Sequence, residues 1–153
     1  DPVMLLRPPV SMDDPQTEWE SRSVTSGEVN RRWTEGSFIF KHQDTYYMMY
    51  SANFFAGKNY AVGYATSDSP LGPFKKADNN PVLQKNTESG GQVTGTGHNS
   101  ITYSKDGTEM YCVYHGRTLA RGNERVVFID KMEIMEDGRL VVHGPTTTEQ
   151  IIH

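Results

Sequence analysis

Two parts of this sequence repeat one another at a nearly fixed distance. Residues 37–40 (SFIF) align with residues 99–102 (NSIT) at an offset of 62, and residues 47–51 (YMMYS) align with residues 111–115 (YCVYH) at an offset of 64. Each part lies in a group of four predicted strands. A four-stranded unit that recurs at such a distance is typical of a β-propeller, in which small antiparallel sheets, the blades, are arranged around an axis.

Short runs rich in aromatic and β-branched residues, separated by Gly, Asn, Asp and Pro, predict the individual strands. The first group has strands at residues 36–41, 45–51, 60–67 and 73–76, and the second has strands at residues 98–104, 109–116, 125–134 and 139–143. Because no segment shows the apolar period of an amphipathic helix, the predicted fold class is all-β.

The whole chain, residues 1–153, is predicted to be part of a single propeller domain. Residues 1–34 form an irregular remnant and loop with one short strand at residues 3–6, residues 35–80 form the first blade, and residues 95–145 form the second blade. Propellers need about four to eight blades to close a ring. Two blades and a remnant therefore belong to a larger protein, associate with copies of themselves, or pack as an open sandwich.

The charge and hydropathy of the chain exclude two classes of partner. With 15 Lys and Arg against 19 Asp and Glu, the formal net charge is -4, and no basic stripe is present to bind nucleic acid. No apolar run approaches the roughly 18 residues of a membrane span, so no membrane partner is expected. The single cysteine, Cys112, excludes an intrachain disulfide, and its place within a predicted strand indicates a packing role.

The repeat predicts that Glu35 and His98 lie close together. The offset of 62 aligns Gly36 with His98, and it aligns Glu35 with Gly97. In a propeller the first strand of each blade is innermost, so equivalent positions at its entrance face the axis at the same end. We therefore expect the side chains of Glu35 and His98 to be near neighbours.

Glu35 is a candidate general acid. Trp33 and Phe38 flank it, and a carboxyl group that such neighbours partly desolvate is suited to donate a proton near neutral pH. The alternative is a solvated loop carboxylate, or one that pairs with Arg31 or Arg32. The residues alone leave both interpretations open.

His98 ends the motif Gly-x-Gly-His at residues 95–98, which could bring an imidazole close to a ligand or an ion. The alternative is a structural hydrogen bond in a turn, and His115, at the end of a strand, is interpreted as structural. No His-x-His or His-Glu-x-x-His spacing is present, so a catalytic zinc is not expected. A single imidazole can still help to hold an ion whose other ligands are water molecules.

Four aromatic residues lie in or beside predicted loops: Trp19, Trp33, Phe54 and Phe55. Their rings could stack on the apolar faces of sugars, or they could seal the seam between blades. Arg125 opens a strand whose next residues are apolar, and its guanidinium could bind a polar ligand or a neighbouring carboxylate.

Seven segments of the chain occur together in a distinctive order: 33–40 (WTEGSFIF), 46–52 (YYMMYSA), 60–65 (YAVGYA), 71–74 (LGPF), 80–83 (NPVL), 95–100 (GTGHNS) and 114–117 (YHGR). In this order they strongly resemble the second half of glycoside hydrolase family 43, which comprises β-xylosidases, α-L-arabinofuranosidases and arabinanases. The resemblance covers nearly the whole chain. The joint occurrence of its Glu-Gly, Gly-Pro-Phe, Gly-x-Gly-His and Tyr-His motifs is highly specific.

The resemblance implies a five-bladed propeller that hydrolyses glycosidic bonds with inversion, using an Asp general base, a second Asp that orients the acid, and a Glu general acid. Glu35 matches that Glu. His98 matches the axial His that in many members faces a bound calcium or another cation, usually through water, and no organic cofactor is implied. Arg125 matches an Arg near the substrate, and Trp33 and Phe54 are the aromatic residues expected to contact the sugar.

The sequence departs from the family pattern in two respects. Ser37 stands where the family more often has a Pro, which alters loop stiffness. Both family aspartates lie upstream of the Glu, in blades that this sequence lacks, and Asp13 and Asp14 stand in the wrong context to replace them. The chain therefore resembles the C-terminal half of the enzyme, with the acid but without the base, and is expected to be inactive alone.

The resulting prediction is a glycosidase fragment that acts on xylose- or arabinose-containing plant polysaccharides or oligosaccharides. Its expected partner is the missing N-terminal half of the propeller or a second copy of the chain. The alternative is a non-catalytic carbohydrate-binding or structural half-propeller that self-associates. From the substrate class, the expected location is periplasmic or secreted.

Overall fold

The structure is a computed structural model that describes residues 1–21 and 33–152, and its strands form two four-stranded antiparallel sheets. The first sheet consists of β1 (Thr34–His42), β2 (Thr45–Ala52), β3 (Ala61–Ser67) and β4 (Lys75–Lys76), and the second of β5 (Val93–Tyr103), β6 (Met110–Thr118), β7 (Val126–Ile134) and β8 (Leu140–Val142). A four-residue helix, α1 (Thr17–Glu20), precedes the first sheet, and a short 3-10 helix (Thr87–Ser89) lies between the sheets. The predicted all-β class and both groups of four strands are confirmed.

The two sheets repeat the same strand pairing. Ile39 faces Met48 in the first hairpin, and Ile101 faces Cys112 in the second. These pairs are displaced from one another by the offsets of 62 and 64 that the sequence predicts. Within each sheet, neighbouring strands are consecutive in sequence, so both sheets are simple meanders.

The strand β5 is longer than predicted. It begins at Val93, whereas the sequence predicted a start at residue 98. The segment before His98 stays paired with β6 through two register shifts, one between Thr94 and Gly97 and one between Gly97 and Ser100. Gly95, with a φ of 62°, lies within the first shift, and His98, with a φ of 50°, lies within the second.

Residues 3–6 do not form the predicted strand. Pro2, Pro8 and Pro9 lack backbone N–H donors on either side of this segment, which weakens any ladder it could form. The segment is held by side-chain packing instead, since Leu6 contacts an apolar cluster on the first sheet.

One apolar core lies between the two sheets. In β2 and β3 the side chains alternate, so that every second residue faces this core. Its buried members are Tyr47, Met49, Val62, Tyr64, Leu83, Cys112, Tyr114, Met132, Leu140 and Val142. The burial of Cys112 confirms its predicted packing role.

A second cluster lies on the opposite face of the first sheet, where α1 packs. Trp19 is buried there with Tyr50, and its indole Nε1 donates a hydrogen bond to Gln16 Oε1 at 2.7 Å. Trp19 is therefore an interior residue that packs α1 against the first sheet, and the alternative in which it stacks on a sugar is wrong. Within residues 1–21 and 33–152, no helix has the length and apolar character needed to cross a bilayer.

The helix α1 also brings a buried ion pair to this face. Glu20 is 1% exposed, and its Oε1 accepts hydrogen bonds from the Tyr50 hydroxyl and from Lys76 Nζ, each at 2.7 Å. Because Lys76 lies in β4 at the edge of the sheet, the pair ties the N-terminal remnant to the completed first sheet.

Candidate active site

Two equivalent bulges shape the inner strands β1 and β5. The pairing of β1 shifts between Glu35 and Phe38, and Gly36 within this bulge has a φ of 60°. In β5 the equivalent residue is His98, with a φ of 50°. A positive φ is uncommon for a residue with a side chain and is concentrated at functional sites, so the conformation of His98 marks the middle of β5 as part of a candidate site.

The hydroxyl of Tyr60 joins Glu35 and His98. Tyr60 is fully buried just before β3, and its hydroxyl lies 2.8 Å from Glu35 Oε1 and 2.7 Å from His98 Nδ1. Burial, reinforced by the hydrogen bond to Glu35, raises the pKa of Tyr60 above its usual range, so the phenol keeps its proton. The predicted proximity of Glu35 and His98 is therefore confirmed.

Gly97 makes room for the Tyr60 ring. A Cβ atom at Gly97 would lie 2.0 Å from Cε1 of Tyr60, which is far inside van der Waals contact. The second glycine of the Gly-x-Gly-His motif is therefore needed because any side chain at this position would collide with the Tyr60 ring. The backbone N–H of His98 donates to Ser51 Oγ at 2.8 Å, and this buried hydroxyl anchors the bulge to β2.

His115 completes a stack of three rings. Its imidazole is parallel to the Tyr60 ring, with centroids 5.8 Å apart, and to the His98 ring, with centroids 6.1 Å apart. Neither ring nitrogen of His115 has a hydrogen-bond partner among the residues that the structure describes. Burial, followed by the charges of Arg125, His98 and Arg117, lowers the pKa of His115 to about 4, so the ring is neutral.

An exposed surface, called the wall below, consists of the side chains of Phe54, Phe55 and Arg125. Phe54 and Phe55 are 43% and 47% exposed, and their rings meet edge to face with centroids 5.2 Å apart. The guanidinium of Arg125 lies 5.6 Å from the centroid of Phe55. The charge of Arg125 also contributes to the pKa values of Tyr60 and His115.

Arg117 holds the two loops that form this wall. It is 6% exposed, and it donates hydrogen bonds to the carbonyl oxygens of Phe55 at 3.2 Å and Asn123 at 3.3 Å. One carbonyl belongs to the loop after β2 and the other to the loop after β6. Burial, together with the charge of Arg125, lowers the pKa of Arg117, as expected for a guanidinium in a cationic interior.

The structure thus gathers several residues singled out from the sequence and adds others. Glu35 and His98 are bonded to the Tyr60 hydroxyl, and Phe54 and Arg125 both contact Phe55. Trp33 is half-buried directly before β1, two residues from Glu35. Three residues were missed in the sequence: Tyr60 as a link, His115 as part of the ring stack and Arg117 as a clamp. The offset of 64, which aligns Ser51 with His115, is a signal that could have pointed to His115.

The site offers a cation one clear donor. Nδ1 of His98 is bonded to Tyr60, so Nε2 is the ring nitrogen that remains for a ligand. Across residues 1–21 and 33–152, no three His, Cys, Asp or Glu side chains are grouped so that they could hold a metal ion. The donor set therefore fits a single position in the shell of a cation whose other ligands are water molecules or groups from outside these residues.

The sequence pattern described as "Glycosyl hydrolases family 43" matches residues 9–140. Among curated proteins, the chain is similar to a β-D-galactofuranosidase (xynD) of Aspergillus niger, with 37% identity over 111 residues that cover 71% of this chain and 31% of that protein. It is also similar to an extracellular exo-α-(1→5)-L-arabinofuranosidase of Streptomyces avermitilis, with 30% identity over 113 residues that cover 71% of this chain and 21% of that protein.

Solved structures show the same relationship. A thermostable family-43 glycoside hydrolase superposes with a TM-score of 0.80 and 41% identity, over 99% of this chain and 44% of that one. An endo-1,4-β-xylanase from Bacteroides thetaiotaomicron superposes with a TM-score of 0.68 and 35% identity, over 83% of this chain and 40% of that one. The chain spans less than half the length of each of these four proteins.

Proposed function

The chain belongs to glycosyl hydrolase family 43, and we propose that it supplies the general acid, Glu35, of an inverting hydrolase. The proposed substrates are xylose- or arabinose-containing plant polysaccharides and oligosaccharides. The relatives support this class, since two of them are named as an arabinofuranosidase and an endo-1,4-β-xylanase. A third is named as a galactofuranosidase, so the family likeness extends to more than one furanose.

One observation carries the proposal: a single buried hydroxyl, that of Tyr60, joins Glu35 in β1 to His98 in β5. In this arrangement Glu35 protonates the glycosidic oxygen as the bond breaks. Positioned proton transfer of this kind contributes about 10²–10⁴ in rate. His98 offers Nε2 to axial water or to a cation, calcium or another, which would supply electrostatic stabilisation when bound.

The wall beside the acid is the proposed sugar-binding surface. The exposed rings of Phe54 and Phe55 present apolar area for a sugar face, and Arg125 offers N–H donors to its hydroxyl groups. Trp33, at the start of β1, is proposed to border the same subsite. No organic cofactor takes part in this chemistry, because proton transfer and water attack suffice for inverting hydrolysis.

We propose that the general base and the acid-orienting Asp come from upstream blades of a five-bladed propeller. Inverting hydrolysis needs a second carboxylate about 6.5–9.5 Å from the acid, with a water molecule between them. The chain spans less than half of its relatives, which is consistent with two blades. Alone, the chain is expected to be inactive; its partner is the N-terminal half or a second copy.

A fusion protein tests the proposal. The region of the thermostable family-43 hydrolase that precedes its matched part is joined to this chain, and hydrolysis of aryl α-L-arabinofuranosides and aryl β-xylosides is measured. We expect activity with inversion at the anomeric carbon, seen by NMR of the first-formed sugar. Glu35→Gln should lower kcat by about 10²–10⁴, whereas Glu136→Gln, in an exposed hairpin turn, should not. Equal activity of both variants would exclude Glu35 as the acid.

The alternative function is carbohydrate binding without catalysis, and the exposed Phe54–Phe55 pair is the observation that favours it. Isothermal titration of the chain with xylo- and arabino-oligosaccharides separates the two functions. Binding that Phe54→Ala abolishes, together with a folded but inactive fusion, would support the binding module. The proposed location is secreted or periplasmic, supported by relatives that are named extracellular.

A further inference from the structure

We infer that Tyr60 is a positioning residue that sets the direction of the hydrogen bonds in the site: its hydroxyl donates to Glu35 and accepts from His98, and His98 Nε2 carries no proton. The inference rests on the proposed function only in treating Glu35 as the acid. The arrangement of protons is a property of the folded chain and can be measured without hydrolysis.

The count of donors fixes this arrangement. A phenol has one proton to donate. Glu35 Oε1 lies 2.8 Å and His98 Nδ1 2.7 Å from the Tyr60 oxygen, and the Ser51 hydroxyl also forms a hydrogen bond with this oxygen. An ionised carboxylate only accepts, so the Tyr60 proton belongs to Glu35. The Tyr60 oxygen is then left as an acceptor, and His98 Nδ1 must be the donor. Because a neutral imidazole has one N–H, its Nε2 keeps a free lone pair.

The surroundings keep Tyr60 in this role. Its ring fills the space that Gly97 leaves open, and His115 stacks on it at 5.8 Å. The backbone of His98 is anchored to Ser51 Oγ, which holds the imidazole next to the phenol. Burial keeps the phenol protonated, so the direction of the bonds does not depend on ionisation of Tyr60.

The inference extends to protonated Glu35: with Oε1 accepting from Tyr60, the acid proton is assigned to Oε2. Tyr60 therefore orients the acid without touching the substrate. On the other side it leaves His98 Nε2 as an acceptor for water or a ligand for a cation.

Histidine NMR tests the inference on the chain itself. The chain is labelled with ¹⁵N at histidine, and long-range ¹H–¹⁵N correlations are recorded at slightly alkaline pH, where a free carboxyl is ionised and a free imidazole is neutral. The His98 signals are identified by their loss in His98→Asn, since Asn tolerates a positive φ. We expect Nδ1 of His98 to be protonated and Nε2 to be unprotonated.

Two tyrosine variants complete the test. In Tyr60→Phe the acceptor oxygen is gone, and His98 is expected to change to the Nε2–H tautomer that free histidine prefers. Tyr64→Phe removes another buried hydroxyl, bonded to Asn79 Oδ1 at 2.8 Å, and should leave His98 unchanged. A protonated Nε2 in the wild-type chain overturns the inference, and so does an unchanged His98 in folded Tyr60→Phe. If that variant does not fold, the wild-type spectrum alone decides.

Discussion

Gly36 and His98 occupy equivalent positions of the repeat, and the imidazole of His98 packs against Gly36. A Cβ atom at Gly36 would lie 3.0 Å from His98 Cδ2 and 3.2 Å from Nε2. Both residues have a positive φ, 60° for the glycine and 50° for the histidine. The bulge in β1 therefore makes room for the side chain that the bulge in β5 presents.

Gly36→Ala is expected to destabilise the chain more than Gly107→Ala. Both glycines have a positive φ, 60° and 75°, so each alanine costs about 1–2 kcal/mol in backbone strain. At Gly107 a Cβ atom meets nothing within 4 Å, whereas at Gly36 the ring of His98 must also move. Urea denaturation of both variants measures the difference. Equal losses of unfolding free energy in the two variants, together with unchanged His98 resonances in Gly36→Ala, would contradict the packing of His98 against Gly36.

Tyr60→Phe in the active fusion is expected to act through the acid. Substrates with a poor leaving group depend most on protonation by Glu35, so their kcat should fall more than that of a dinitrophenyl glycoside. KM should change little, because Tyr60 is fully buried and contacts Glu35 rather than solvent. A leaving-group series measured for wild type, Tyr60→Phe and Tyr64→Phe checks this. A uniform loss across the series would show that Tyr60 has only a structural role.

Arg117→Met is expected to loosen the sugar-binding wall. The substitution keeps an apolar stem but leaves the carbonyls of Phe55 and Asn123 without their donor. Loss of such buried hydrogen bonds costs about 1–3 kcal/mol in the free energy of unfolding. Limited proteolysis should cut the loops at 53–60 and 119–125 sooner than in wild type.

Arg121→Met is the matched control for Arg117. Arg121 is an exposed residue whose guanidinium pairs with Glu124 at 2.9 Å. Exposed ion pairs contribute little, so its loss should change the free energy of unfolding by less than about 1 kcal/mol. Similar proteolysis rates in the two variants would refute the role of Arg117 as a clamp.

Cys112 is expected to react with thiol reagents only after unfolding. Burial, with a further contribution from the charge of Asp130, raises the pKa of this thiol from 9.0 to about 12. Between these values the unfolded thiol ionises and the folded thiol does not, so its contribution to stability is present below about 9 and is lost as pH rises toward 12. Labelling of the native chain at the rate of a free thiol would be inconsistent with its burial.

Much of this architecture could be predicted from the sequence repeat. A period in the sequence fixes which residues are equivalent, and equivalent residues share a place in their strands. That is why Ile39 pairs with Met48 as Ile101 pairs with Cys112, and why Glu35 and His98 lie close together. The start of β5 was predicted five residues too late. Glycines such as Gly95 and Gly97 usually mark the end of a strand in a local sequence pattern, but here the strand continues through them.

Tyr60 and Arg117 could not be assigned from the sequence for a different reason. The partners of Arg117 are backbone carbonyls in two loops, and any residue type can supply a carbonyl. For Tyr60, the missing side chain of Gly97 indicates that something comes close, but not which ring does. Such contacts depend on how two sheets meet, and no local pattern encodes that geometry.

The ion pair between Glu20 and Lys76 constrains how the chain is made. The two residues are 56 positions apart, and Lys76 belongs to the last strand of the first sheet. As the ribosome makes the chain from the N-terminal side, Glu20 is synthesised 56 residues before Lys76. During synthesis the buried Glu20 carboxylate therefore acquires its Lys76 partner only after all four strands of the first sheet have been made.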